Sequence, residues 1–293
     1  MSKVLVRPLA LVLAILALAA ALIEWVAFGT LAAPVPRAIG AAPAELQAVD
    51  VSFPSTSGTT IHGWLSQDAA GHGAVLLLPG VRADRRNMLS RAEFLHRLGF
   101  SVLLIDFQAT GESRGKRITF GDLESRDVTA ALDYLHHTLP HERLGIIGVS
   151  VGAAAFVLAR GRPRVDAVVL ESMYPTLRQA IADRLRVHFG AWSVALTPLI
   201  CWQFKRRLAI DPERLRPIDR IGQIHAPLLL IHGTRDEHTT LAEARAEFAA
   251  AAQPKQFWAV EGAAHSNFHG YAKPQYEERV GRFLTRCLVQ PPA

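Results

Sequence analysis

Leu144-Gly145-Ile146-Ile147-Gly148-Val149-Ser150-Val151-Gly152-Ala153-Ala154-Ala155 decides how this chain is read. An apolar run of strand length meets a corner, and small residues then open a helix. The corner is Gly148-x-Ser150-x-Gly152. At a sharp strand-to-helix turn the central residue takes unfavourable backbone angles, and a side chain at either flanking position collides with a neighbouring strand or helix. Glycine at both positions therefore predicts a serine hydroxyl presented at the carboxyl end of a sheet, above a helix N-terminus. The same spacing recurs at Gly111-Glu112-Ser113-Arg114-Gly115. There the apolar run Val102-Leu103-Leu104-Ile105 ends several residues earlier and Lys116-Arg117 follow, so the second match reads as a polar loop.

Outward from Ser150 the pattern alternates strand and helix. Upstream, Val49 to Phe53 and Thr60 to Leu65 alternate like an antiparallel edge pair turning at Ser57-Gly58. Ala74-Val75-Leu76-Leu77-Leu78 is continuously apolar, as a strand covered on both faces must be. A helix from Met88 to Leu98, a strand from Ser101 to Ile105 and a helix from Leu123 to His136 lead to the opening stretch. Downstream come strands at Val165 to Leu170, Pro227 to Ile231 and Gln256 to Val260, with helices at Leu241 to Ala251 and Tyr276 to Leu288. This order predicts an α/β fold: a mainly parallel sheet with helices on both faces. About 172–223 is too long for a plain loop and carries helical patterns near Leu177 to Val187 and an apolar segment from Trp192 to Phe204. A helical cap inserted between two core strands accounts for both its place and its apolarity.

Of 293 residues half are hydrophobic and a fifth charged, which suits a packed core. The net charge is +6, but the arginines are scattered and no long like-charged run occurs, which argues against nucleic acid as a partner. Cys201 and Cys287 make neither a disulfide framework nor a zinc site, and their pairing stays open. His136, His137 and His141 lack a metal-binding geometry, so no metal is expected.

The first residues carry their own signal. Lys3 and Arg7 precede an uncharged run from Pro8 to Ile23, and Glu24 is followed by Trp25-Val26-Ala27-Phe28. Counted through the single acid, the run is about 20 residues long, enough for one helix across a bilayer. Residues 1–30 are therefore expected to be a single N-terminal transmembrane anchor, with Lys3 and Arg7 in the cytoplasm and the remaining chain on the outer side. A signal peptide cleaved near Ala17-Leu18-Ala19 is the alternative, and would yield a secreted protein. Residues 31–47, rich in alanine and proline, read as a linker, and 48–290 as the folded domain.

A serine is a poor nucleophile until a base takes its proton, and the base must be held in the right tautomer by an acid. Leu228 to Ile231 runs into His232-Gly233-Thr234-Arg235-Asp236, and Ala259-Val260 into Glu261-Gly262-Ala263-Ala264-His265. Both loops open at the same edge of a parallel sheet as Ser150. The order Ser150, Asp236, His265 is that of a serine–acid–histidine set built on a strand-to-helix corner. His232 and His238 are the rival bases and Glu171 the rival acid. The oxyanion needs two backbone donors. The amide of Val151 follows the nucleophile, and the amide of Val81 lies beyond Pro79-Gly80 in the loop after Leu78.

Taken together, Gly148-Val149-Ser150-Val151-Gly152, Asp106 to Ser113, His232 to Asp236 and Gly262-Ala263-Ala264-His265 make the chain resemble the alpha/beta-hydrolase superfamily from about Val49 to Leu288. It is most similar to the serine-hydrolase branch with dienelactone-hydrolase-like, serine-aminopeptidase-like and membrane-anchored depalmitoylase-like proteins. The resemblance implies the same three residues, Ser150, Asp236 and His265, and makes Asp106 to Ser113 a structural loop motif. Two departures stand out. Pro79-Gly80 replaces the usual His-Gly of the oxyanion loop, and Ser150 replaces the cysteine of dienelactone hydrolases proper.

The expectation is a serine esterase or thioesterase that needs no cofactor and acts on a small-molecule or lipid-like acyl ester. A peptidase or amidase of the same fold, and a membrane-tethered binding protein without turnover, are the other readings.

Overall fold

The computed structural model of this chain describes residues 15, 29, 31–68, 71–161, 163–265 and 267–289. The expected anchor at 1–30 lies almost wholly outside the described residues. Among the described residues no helix is long and apolar enough to cross a membrane.

The chain enters through β1 (Val35–Pro36), a hairpin of β2 (Val49–Ser55) and β3 (Thr59–Ser66), and β4 (Ala74–Leu78). There follow α1 (Leu89–Arg97), β5 (Ser101–Ile105), β6 (Thr110–Gly111), α2 (Glu124–Thr138), β7 (Leu144–Val149), α3 (Val151–Leu158) and β8 (Ala167–Glu171). An insertion carrying α4 (Leu177–Phe189) and α5 (Thr197–Gln203) separates β8 from β9 (Leu228–Gly233). The chain ends with α6 (Leu241–Ala250), β10 (Lys255–Val260), α7 (Phe268–Tyr271) and α8 (Lys273–Leu288).

Eight of these strands form one sheet in the order β10-β9-β8-β7-β4-β5-β3-β2. The β2–β3 and β3–β5 pairs are antiparallel and the other pairs are parallel. The central strands are buried on both faces and alternate their side chains between two cores. Leu76, Leu78, Ile146 and Leu103 pack with Leu132 of α2 and Phe156 of α3. Val75, Leu77, Ile147 and Leu104 pack with Phe94 of α1 and Leu284 of α8. The apolar runs expected from the sequence are thus satisfied by helices on each side of the sheet.

After β4 the chain crosses by α1 to β5 on one flank, and returns by α2 to β7 on the other flank. The order of winding reverses there, so the loops after β4 and β7 diverge at their carboxyl ends. Ser150 stands at that edge.

Residues 31–47, expected as a linker, lie along the domain. β1 pairs in parallel with β6, the Arg37 guanidinium meets Asp84 at 3.0 Å, and Leu46 is fully buried. An alanine- and proline-rich stretch has no apolar period of its own, yet its backbone groups can still pair with a neighbouring loop.

Candidate active site

Ser150 has φ 51° and ψ −111° between the end of β7 and the first residue of α3. A left-handed φ is costly for a residue with a Cβ, so the surroundings must hold it. They do so from three sides. The Ser150 amide donates to the Glu171 carbonyl at 2.8 Å, and its carbonyl accepts from the Ala154 amide at 3.0 Å. A Cβ on Gly148 would come within 2.8 Å of the Ala153 backbone. One on Gly152 would come within 2.5 Å of the Leu78 carbonyl oxygen. These are the two close approaches for which glycine was required.

The acid and the histidine meet through two interlocked loops. The Thr234 amide donates to the Val260 carbonyl at 3.0 Å, and the Arg235 amide donates to the Ala263 carbonyl at 2.8 Å. The Gly262 amide donates to the Thr234 hydroxyl at 2.8 Å. Gly233 permits this crossing, because a Cβ there would lie 2.3 Å from the Ala263 carbonyl oxygen. The outcome is a hydrogen bond of 2.8 Å between Nδ1 of His265 and Oδ2 of Asp236. The other oxygen of Asp236 accepts from the amides of His238 at 2.9 Å and Thr239 at 3.0 Å.

Burial works to raise the pKa of Asp236. The bond and charge of His265, the Thr239 amide and the charge of His232 outweigh it, and the carboxyl sits below its ordinary value. An ionised carboxylate only accepts, so His265 must carry its proton on Nδ1 and present Nε2 as a base.

The rivals have other partners. His232 is fully buried with its Nε2 donating to the Thr239 carbonyl at 2.8 Å, and burial lowers its pKa. The His238 ring stands edge-on to His265 at 5.6 Å, and its pKa is lowered by burial, Arg184 and His265. Glu171 is held by Arg91, with Nε 3.0 Å from Oε1 and Nη2 2.5 Å from Oε2, and by the Tyr276 hydroxyl at 2.6 Å. Arg91 and Tyr276 come from α1 and α8, far apart in the chain, and sequence reasoning had no signal for them.

The loop after β4 adjoins the serine: a Cβ on Gly80 would stand 3.9 Å from the Ser150 Cβ. Val81 follows. Among the described residues neither the Val81 nor the Val151 amide has a hydrogen-bond partner. The second Gly-x-Ser-x-Gly match is a structural loop. Its Ser113 is buried, donates to the Asp106 carbonyl at 2.8 Å and accepts from the His62 amide at 2.9 Å. Asp106 in turn is buried against Arg85, with 2.9 Å between Nη1 and Oδ2. Among the described residues no group of three or more histidine, cysteine or carboxylate side chains is placed to hold a metal ion.

No family model matches the chain. It is 32% identical over 263 residues to the uncharacterized protein Rv2307c of Mycobacterium tuberculosis, a match that covers 88% of this chain and 85% of the relative. It is 27% identical over 196 residues to human alpha/beta hydrolase domain-containing protein 17B, covering 66% of this chain and 59% of that protein. Among solved structures, the Pyrococcus furiosus esterase Pf2001 superposes with a TM-score of 0.72 at 25% identity, covering 88% of this chain and 98% of the esterase.

Proposed function

The chain belongs to the alpha/beta-hydrolase superfamily, and we propose that it hydrolyses carboxylic esters or thioesters through an acyl-enzyme on Ser150. The observation that carries this reading is the 2.8 Å bond between His265 and an ionised Asp236, at the same sheet edge as the left-handed Ser150.

In the first half-reaction the Ser150 hydroxyl attacks the substrate carbonyl while Nε2 of His265 takes its proton. Asp236 keeps the imidazole oriented and stabilises the imidazolium that forms. The amides of Val81 and Val151 receive the developing oxyanion, a role suited to donors that have no other partner. His265 then protonates the leaving alcohol or thiol. Water repeats the sequence on the acyl-enzyme and releases the acid. Esters need less help than amides to expel their leaving group, and the similar esterase of known structure supports the same choice.

The reading extends to where the enzyme works. Residues 1–30 would anchor it as one membrane helix, with the catalytic domain on the outer side. The charged start and the uncharged run from Pro8 to Ile23 support this, and protease protection in sealed vesicles tests it.

Fluorophosphonate labelling tests the chemistry. Unmodified protein is expected to label at Ser150, and folded Ser150→Ala and His265→Ala variants to stay unlabelled. Labelling elsewhere, or none in folded wild type, would remove the assignment. Cleavage of aminoacyl amides in preference to matched esters would make the enzyme an amidase.

A further inference from the structure

The insertion between β8 and β9 packs Leu177, Cys201, Phe204 and Leu208 into the core and yet turns a second set of apolar side chains outward. Of the ten large apolar side chains that are exposed among the described residues, five fall within 189–202: Phe189 (62%), Trp192 (70%), Leu196 (39%), Leu199 (44%) and Trp202 (57%). The last four are spaced by four, three and three positions along the continuous helical run from Ala191 to Gln203, so they share one side of it. The opposite side, turned into the protein, carries Ser193, Thr197, Cys201 and Gln203, with Ile200 packed against the core. The two hydroxyls are satisfied locally, by the carbonyls of Gly190 and Val194 at 2.7 Å each. Folding in water favours burying such side chains, and a stripe of two tryptophans and two leucines facing outward marks an interaction surface.

Two further observations say what covers it. The first is charge. The insertion from 172 to 223 holds nine lysines and arginines and four acids, a net +5 out of +6 for the whole chain. The basic run Lys205-Arg206-Arg207 directly follows the apolar stripe, and the Arg206 guanidinium stacks on the Trp202 ring at 5.9 Å. The second is the path of the chain. A Cβ on Gly29 would lie 3.8 Å from the Arg207 guanidinium, so the residue that follows the apolar N-terminal run in the sequence lies beside this basic corner of the insertion. Tryptophan and leucine flanked by cations suit the boundary of an anionic bilayer, where aromatic rings sit at headgroup level and basic side chains meet phosphates.

We infer that the face formed by Trp192, Leu196, Leu199 and Trp202, with Lys205 and Arg206 at its border, docks on the surface of an anionic lipid bilayer. The insertion would then lie flat on the membrane, and a lipid-borne substrate would reach Ser150 from the bilayer. The docking itself does not depend on the chemistry proposed for Ser150.

Tryptophan quenching in full-length protein tests this. Trp64 and Trp258 are buried, and Trp25 belongs to the N-terminal run, so Trp192 and Trp202 report the insertion. The protein is placed in vesicles of brominated phosphatidylcholine with or without phosphatidylglycerol. Wild type is expected to be quenched more strongly than a Trp192→Phe/Trp202→Phe variant, and the excess to shrink in vesicles lacking phosphatidylglycerol and in a Lys205→Glu/Arg206→Glu variant. Because all four positions are exposed, circular dichroism should show unchanged folding. Equal quenching of wild type and the double tryptophan variant would overturn the inference. So would concentration-dependent self-association abolished by Trp192→Ser, which would make a second copy the occupant.

Discussion

Nδ1 of His265 lies 2.8 Å from Oδ2 of Asp236, whereas Nε2 of His232 lies 3.7 Å from the same oxygen and is turned to the Thr239 carbonyl. Of these two histidines, only His265 is held by Asp236 in a tautomer that leaves a free base. Asp236→Asn keeps the shape of the loop but no longer demands a proton on Nδ1. It is expected to lower kcat for an activated ester by roughly 10³–10⁴-fold, with KM little changed. Steady-state kinetics of the variant beside wild type checks this; a loss below tenfold would point to another acid.

The left-handed φ of Ser150 costs stability. Ser150→Gly should remove both the nucleophile and the backbone strain, and raise stability by about 1 kcal/mol. Ser150→Ala removes the nucleophile and keeps the strain. Thermal unfolding of the two inactive variants separates the effects: the glycine variant is expected to melt higher, and equal Tm values would show the corner to be unstrained.

Glu171 ends the strand beside Ser150, and its carboxylate belongs to Arg91 and Tyr276. Arg91→Met leaves a buried carboxylate without its cation and should cost about 3–5 kcal/mol. Adding Glu171→Leu removes the orphaned charge and should restore much of that. Chemical denaturation measures both. The double variant, once folded, should still label with fluorophosphonate, since neither residue touches the reacting atoms; failure to label would return Glu171 to the list of acids.

Glu247 on α6 is fully buried, and among the described residues neither carboxylate oxygen has a hydrogen-bond partner. Burial, with the nearby Glu243, raises its pKa well above the ordinary value. The folded state therefore keeps a proton that the unfolded chain releases above about pH 4.3, so stability falls as pH rises from there toward the folded pKa. Relative to Glu247→Gln, which cannot ionise, wild type should lose at most about 1.4 kcal/mol per pH unit. Denaturation midpoints at pH 5 and pH 7 read the difference: the gap is expected to widen with pH, and a constant gap would show that Glu247 does not hold its proton.

The features legible along the chain were local or periodic. Continuous apolar runs such as Ala74 to Leu78 can be buried only between two layers of helices, so the parallel sheet followed from them. The glycines at 148 and 152 fit a close-packed corner, which singled out Ser150, and the loops carrying Asp236 and His265 followed from where the strands end. Which groups, distant in sequence, come within reach of one another emerged with packing alone. The crossing at Gly233 and Ala263 brings the His265 ring onto the Asp236 carboxylate, and Arg91 and Tyr276 claim Glu171. The outward turn of Trp192 and Trp202 was equally hidden, since an apolar helix pattern states that one face is buried without stating what buries it. Hydrogen bonds and exposure depend on distances of a few ångströms between separate elements, and those are set when the sheet and its helices pack.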